Sequence, residues 1–169
     1  MAVKHILMLG DPLLWSQCSP VKGILAPSIG GTIRDLRDTL ADFRKKNGFG
    51  RGIAAPQIGV LKRVIYIHFP KAKIDGAFIN PKIIKKGRAK IQLWDDCFSF
   101  PNLLVRVERA REIAVAYLDE SGSKHTLLAA GDLSELLQHE IDHLDGILAV
   151  ERAIDGRSFA LRDGRKREK

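Results

Sequence analysis

The sequence contains little cysteine and no long apolar run. Only two of its 169 residues are cysteines, Cys18 and Cys97, which are too few for a disulfide framework and suit a reducing compartment. No apolar stretch reaches the roughly 18 residues of a membrane-spanning helix. The N-terminus does not join a basic region to an apolar core, as a signal peptide would. These absences predict a cytoplasmic protein without a membrane partner.

Composition indicates one globular domain. The chain is 45% hydrophobic, which at this length is enough to bury a core, and no repeats or low-complexity tracts occur. We assign residues 1–156 to a single domain and residues 157–169 to a basic C-terminal tail. The net charge is +8, and basic tails often bind nucleic acid. The alternative is a solvated terminus without a partner.

A His-Glu-x-x-His unit is the most informative motif. His139 and His143 are four residues apart, so on a helix they lie on the same face and can share one metal ion. Glu140 would then reach a water bound to that ion. A helix with two surface histidines is the alternative, but leucines flank the motif and the glutamate is in register. The motif predicts a catalytic metal.

A third protein ligand is needed to complete such a site. The residues after His143 contain no histidine or cysteine, whereas Cys97 follows a strand-like aromatic run upstream. A thiolate with two imidazoles suits iron(II), zinc, cobalt or nickel. The alternative for Cys97 is a buried structural cysteine.

A glycine-rich segment, residues 48–59, carries the third motif. Gly48, Gly50 and Gly52 permit close backbone approach, and no Gly-Lys-Ser/Thr follows that would make it a phosphate loop. Taken alone it is a tight turn before a strand, and Gln57 is then an ordinary surface amide.

Together the three segments resemble the signatures of the peptide deformylases. Residues 50–57 resemble Gly-φ-Gly-φ-Ala-Ala-Pro-Gln, residues 95–99 resemble Glu-Gly-Cys-Leu-Ser, and residues 138–143 match Gln-His-Glu-x-Asp-His. The resemblance implies an α+β fold in which antiparallel sheets pack around a central metal-binding helix. Residue patterns agree, since they predict helices at 32–47 and 132–145. They also predict strands at 63–69, 83–84, 88–94, 103–109, 112–118 and 124–129.

The resemblance also implies the chemistry. It implies removal of the N-formyl group from the formylmethionine of nascent polypeptides, with Cys97, His139 and His143 holding one divalent metal ion. Fe²⁺ is the family's usual metal, and Zn²⁺, Ni²⁺ and Co²⁺ are the alternatives. Glu140 would act as general base and then acid, and the oxyanion would bind the Gln57 amide and the Phe98 backbone N–H.

The remaining implied contacts concern binding partners. The peptide main chain would lie beside Gly50, Arg51 and Gly52 like an added strand. The basic tail would contact the ribosome, near its RNA, whereas we expect no binding to DNA.

Several positions depart from the family pattern, among them Asp95, Asp96 and Arg51. Asp95 and Asp96 replace Glu-Gly, so Asp96 adds a charged side chain where the family's glycine offers its carbonyl to the substrate. Arg106 and Arg109 are candidate partners for Asp95. Arg51 replaces an aliphatic residue, and either pairs with Asp96 or faces solvent. These departures leave two alternatives open: an altered acyl substrate, or a weakened relative that binds peptides or ribosomes.

Overall fold

The computed structural model describes residues 3–165. Within that range the chain forms eight strands and three α-helices. The helices are α1 (Pro27–Asn47), α2 (Asp132–Leu144) and α3 (Arg162–Arg165). The strands are β1 (Gly52–Ala54), β2 (Val64–Phe69), β3 (Ile74–Lys86), β4 (Lys90–Asp96), β5 (Leu103–Ala110), β6 (Glu112–Leu118), β7 (Lys124–Ala130) and β8 (Phe159–Leu161).

The strands form two antiparallel sheets. One has the order β1-β2-β3-β6-β7 and the other the order β4-β5-β8. Short connections join most sequential neighbours, and two-residue periodicity places one face of each strand toward the core. The expected α+β class with antiparallel sheets is confirmed.

The first helix begins earlier than the sequence predicted. The predicted helix started at residue 32, but α1 starts at Pro27, whose fixed φ and missing N–H suit the first helical turn. The sequence did not predict these first turns because they contain Gly30 and Gly31, and glycine is a poor helix former. The predicted end is confirmed, since Gly48 takes the left-handed conformation with φ 76°.

Strand β3 is much longer than the predicted strand at 83–84. Pro81 has no N–H to give to a ladder, and Asn80 takes a positive φ of 51°. The pairing with β6 shifts register between Ile79 and Lys82, so a bulge absorbs both residues and the strand continues. The Asn80 side chain bonds the backbone N–H and carbonyl of Val21 at 2.8 and 2.9 Å.

Helix α2 lies between the sheets, in contact with β1 and β5. Eleven of its thirteen residues are buried, which explains its apolar character on several faces. The helix begins at Asp132, the predicted first residue, and Gly131 with φ 55° turns the chain from β7 into the helix. Burying each large apolar side chain, such as Leu137, contributes about 1.5–3 kcal/mol.

Polar anchors fix the register of α2 against β5. The Gln138 amide bonds both backbone groups of Ala110, accepting at 3.1 Å and donating at 2.9 Å, and the Ser134 hydroxyl donates to the same carbonyl. Buried polar groups are tolerated when they are paired in this way. The anchors hold the His139–His143 face toward β4.

The C-terminal segment runs alongside β5. Strand β8 pairs with β5 through Leu103↔Leu161 and Leu104↔Ala160, and Arg106 donates its N–H to the Ser158 carbonyl at 2.8 Å. The domain boundary at residue 156 stays a prediction, and residues 166–169 of the expected tail lie outside the described residues. Among residues 3–165, none of the helices has the length and apolar character needed to cross a membrane.

Candidate metal centre and catalytic cleft

The three predicted metal ligands meet at one buried point. Cys97 directly follows β4, while His139 and His143 project from successive turns of α2. One ligand atom from each lies within 4.8 Å of the others, and Cys97 Sγ is 3.3 Å from His143 Nε2. Tetrahedral ligands at ordinary zinc distances are about 3.4–3.6 Å apart. The spacing therefore fits one small divalent metal ion.

A carboxylate orients the first histidine. Asp95 Oδ1 lies 2.9 Å from His139 Nδ1, which leaves Nε2 of that ring for a metal. Arg109 Nη2 bonds Asp95 Oδ2 at 3.0 Å and also pairs with Asp142 on α2. Of the two arginines expected as partners of Asp95, the structure thus uses Arg109. Arg106 bonds Gln92 on the surface.

The charges around the ligands are strongly coupled. Burial opposes ionisation of Asp95, but His139 and Arg109 lower the pKa of its carboxyl to about 2. Burial would likewise lower the pKa of His139, but Asp95 holds it well above its ordinary value. Burial and the neighbouring His139 lower the pKa of His143 well below its ordinary value. A neutral imidazole is the form that binds a metal, so His143 is prepared for that role.

Glu140 lies beside the ligands with an unpaired oxygen. Its Oε2 atom is buried and has no hydrogen-bond partner among the described residues. Burial raises its pKa to about 7. A buried carboxylate oxygen without a partner is costly in a structural role but suits a group that binds water at a metal site. This orphaned atom and the sulfur–imidazole donor set fit the metal implied by the sequence.

Glycine at position 52 makes room for Glu140. A Cβ atom built there would lie 2.6 Å from Glu140 Oε1, closer than real contacts allow. Gly50 has φ 124°, and a Cβ there would meet the Phe98 ring at 2.5 Å. The glycines of this motif are therefore required by the close approach of a carboxylate and an aromatic ring.

The Gln57 side chain is buried and points toward the Cys97 sulfur, not to the surface. Its Oε1 accepts the Ala54 N–H at 2.9 Å, which fixes the orientation of the amide. Its Nε2 then lies 3.5 Å from Cys97 Sγ and 3.3 Å from Ser99 Oγ. An N–H donor fixed in this place is suited to stabilise charge that develops beside the metal.

An aromatic cluster backs one wall of the cleft, and Phe98 contributes the ring that lines it. Phe98 stacks on Phe43 with 3.8 Å between ring centroids, and Phe49 packs edge-on against both rings. Leu136 of α2 also lines the cleft. These side chains give the cleft an apolar part next to its charged one.

Arg51 and Asp96, the two charged residues at the rim of the cleft, do not pair with each other. Arg51 Nη2 lies 2.7 Å from Glu135 Oε2, so Arg51 follows neither alternative: it does not pair directly with Asp96, and it is not free in solvent. Asp96 Oδ2 accepts from Arg162 Nη2 at 2.8 Å. Glu135 is buried and needs a cation nearby, which explains why Arg51 turns toward α2.

Sequence reasoning missed Arg162 and Glu135 as residues of the site. Arg162 is 66 positions from Asp96, so no local pattern links them. Glu135 is four residues before His139, and this helical spacing was a usable signal because both side chains then lie on one face. Asp95 was expected to bind an arginine, but its bond to His139 was not expected.

Comparison with known proteins gives a consistent result. A family model described as polypeptide deformylase matches residues 3–158. The chain is 37% identical over 153 residues to peptide deformylase 2 of Clostridium perfringens, covering 90% of this chain and 94% of the relative.

Solved structures agree with the sequence relatives. A peptide deformylase from Legionella pneumophila superposes with a TM-score of 0.82 at 35% identity, over 89% of this chain and 86% of that one. A peptide deformylase from Synechococcus elongatus in complex with actinonin gives 0.81 at 34% identity, over 89% and 79%. The two-sheet fold around α2 and the extent of these matches lead to one conclusion: the chain belongs to the peptide deformylase family.

Proposed function

We propose that the protein is a metal-dependent peptide deformylase that hydrolyses the N-formyl group of formylmethionine at the start of nascent polypeptides. The observation that carries this proposal is the arrangement of Cys97, His139 and His143 around one point, with the Glu140 carboxylate and the Gln57 amide directed to the same cleft. Such a set supplies every group that amide hydrolysis requires.

The metal, held by Cys97, His139 and His143, would lower the pKa of a bound water and polarise the formyl oxygen. We propose Fe²⁺ as the ion in the cell, with Zn²⁺, Ni²⁺ and Co²⁺ as alternatives that the same donors accept. Asp95 keeps the His139 ring in the orientation and tautomer that binding needs.

Glu140 moves the proton. Its unpaired Oε2 accepts a proton from the attacking water and then passes it to the nitrogen of the departing amine. A pKa of about 7 suits both directions of transfer near neutral pH. Burial also excludes bulk water from the carboxylate, so the proton stays available for the amine.

Gln57 and Phe98 stabilise the developing oxyanion. The Gln57 amide is held by the Ala54 N–H, so its Nε2 needs no reorganisation when charge appears. The backbone N–H of Phe98 is the proposed second donor. The peptide main chain lies along Gly50, Arg51 and Gly52, and Asp96 stands at the mouth of the same cleft.

The direct test is formate release from formyl-Met-Ala-Ser by anaerobically purified protein loaded with Fe²⁺. The expected result is turnover that Glu140→Ala abolishes without loss of metal. Metal binding without turnover on this or longer formyl-Met peptides would refute the proposal and favour an altered acyl substrate or a peptide-binding role. Parallel loading with Zn²⁺, Ni²⁺ and Co²⁺ ranks the metals.

We further propose that the protein acts in the cytoplasm and that its basic C-terminus contacts the ribosome. The support is the positive charge of residues 157–169 in the sequence. Deleting this segment would also remove β8, so neutralising Lys166, Arg167 and Lys169 together is the better test. Unchanged co-sedimentation with ribosomes would refute the contact.

A further inference from the structure

Arg162, at the end of the C-terminal strand, reaches the mouth of the cleft and is held there by four contacts. Its backbone N–H donates to the Asn102 carbonyl at 2.9 Å, and its Nε donates to the Pro101 carbonyl at 2.9 Å. Its Nη2 donates to Asp96 Oδ2 at 2.8 Å, and the guanidinium carbon lies 3.9 Å from the centroid of the Phe49 ring. The backbone bond fixes the main chain, and the other three contacts fix the orientation of the guanidinium because each uses a different part of the planar group.

The carboxylate that Arg162 binds stands next to the substrate's path. Asp96 lines the cleft together with Gly50, Arg51 and Cys97. A carboxylate at this point adds bulk and negative charge beside the expected track of the peptide main chain. Side chains occupy alternative staggered rotamers, so an aspartate without a partner would be free to turn into the cleft.

A second cation, Arg51, would favour the rotation of the Asp96 side chain into the cleft. Arg51 lies on the part of the cleft formed by residues 50–52, where the peptide is expected to pair. Burial would lower the pKa of Arg51, but Glu135 raises it and Asp96 contributes in the same direction, so Asp96 acts on Arg51 electrostatically. Without Arg162, the attraction between Asp96 and Arg51 would draw a side chain across the route of the substrate.

We propose that Arg162 is a positioning residue for peptide binding, which holds the Asp96 carboxylate against the rim and away from the substrate's path. The strand pairing of β8 with β5 delivers the guanidinium to this place. The C-terminal strand thereby becomes part of the binding site although it contributes no metal ligand. This inference rests on the proposed deformylase function and concerns how that function tolerates an aspartate before the metal-binding cysteine.

The decisive experiment tests whether Asp96→Gly suppresses the binding defect of Arg162→Ala. In a Glu140→Ala background, which blocks turnover, the Kd of formyl-Met-Ala-Ser is measured by calorimetry for four proteins: the background alone, with Arg162→Ala, with Asp96→Gly, and with both. Arg162→Ala is expected to weaken binding by up to about fivefold, because a partly exposed ion pair can bias the position of the Asp96 side chain by no more than about that factor. Adding Asp96→Gly is expected to restore binding to within about 1.5-fold of Asp96→Gly alone, because the offending side chain is gone.

Steady-state kinetics with Glu140 intact give a second readout. Arg162→Ala should raise KM for formyl-Met-X-Ser with little change in kcat, and the rise should be greater for X = Glu than for X = Lys, since the released carboxylate repels acidic peptides. Arg157→Ala is the matched control, because it removes an exposed arginine from the same segment. Thermal unfolding of every variant separates a binding defect from a folding defect, and Arg162→Gln replaces the alanine variant if the latter does not fold.

The outcomes distinguish this inference from the proposed function. No formate release by the unmodified protein refutes the function. A Kd and a KM that Arg162→Ala leaves unchanged refute the positioning role alone. A defect that Asp96→Gly does not relieve also refutes it, because Arg162 would then act through the fold or by touching the substrate.

Discussion

Asp95 and Asp96 are neighbours at the end of β4, yet they lie in opposite environments. Asp95 is buried and has two partners, His139 at 2.9 Å and Arg109 at 3.0 Å. Asp96 has 32% of its side chain exposed and pairs with Arg162, which is itself 26% exposed. Because side chains alternate along the strand, the Asp95 carboxylate lies at the buried floor of the site and the Asp96 carboxylate at its exposed rim.

The physical consequence is a division of roles. A buried ion pair is costly to break because it leaves an unpaired charge out of water, whereas an exposed pair is screened and contributes little to stability. The floor should therefore determine stability and the orientation of the metal ligands. The rim should determine how the substrate binds.

The largest expected effect is that of Asp95→Ala. Removing this carboxylate leaves Arg109 buried without one partner and frees the His139 ring, so the free energy of unfolding should fall by about 3–5 kcal/mol. Metal affinity should fall by about 10–100-fold. Urea unfolding and competition with a chelator measure the two effects. The matched control is Asp96→Ala, and equal losses for the two variants would contradict the division between floor and rim.

A second floor residue should affect catalysis and spare binding. Gln57→Ala should lower kcat by about 100–1000-fold, equivalent to about 2.7–4 kcal/mol, because the amide is needed only when charge develops on the oxygen. KM should change little. Ser99→Ala is the control, since it removes a neighbour of Gln57 Nε2 and leaves the bond to Ala54 that fixes the amide. A loss expressed mainly in KM would assign Gln57 to substrate binding instead.

Replacing Arg51 tests whether a rim residue contributes to the free energy of unfolding when its ion-pair partner is buried. Glu135 is buried, and burial raises its pKa, so Arg51→Ala removes the cation that stabilises its charged form. We expect a loss of about 1–3 kcal/mol in the free energy of unfolding. Combining Arg51→Ala with Glu135→Gln should recover part of that loss. No recovery in the double variant would show that the stability came from contacts of the Arg51 side chain other than the ion pair.

The same contrast explains what the sequence could predict. The ligands Cys97, His139 and His143 were identified because helical spacing and a recognisable motif are local properties. The ion pair of Arg162 with Asp96 joins positions that only the β5–β8 pairing brings together, so no local signal predicts it.

Secondary structure followed the same rule. Strand β6 begins and ends at the predicted residues 112 and 118, whereas β3 extends well beyond the predicted residues 83–84, because its pairing with β6 tolerates a bulge that propensity alone does not anticipate. The start of α1 was misplaced because Gly30 and Gly31 have low helix propensity, and packing of the helix outweighs that preference. Elements fixed by neighbours in the chain were predictable, and those fixed by distant partners were not.

The smallest expected effect concerns the rim pair itself. Asp96→Asn should lower the free energy of unfolding by less than about 1 kcal/mol, because the Asp96–Arg162 pair is partly exposed to water. This loss should shrink further in 1 M NaCl, where the Debye length is about 3 Å, whereas the loss caused by Asp95→Ala should persist because salt does not reach a buried pair. Urea unfolding of both variants at low and high salt measures the difference. A large loss for Asp96→Asn that is insensitive to salt would show that the rim contributes to the stability of the core. The effect of Arg162 on peptide binding would then have to be separated from its effect on stability before it could be assigned to Asp96.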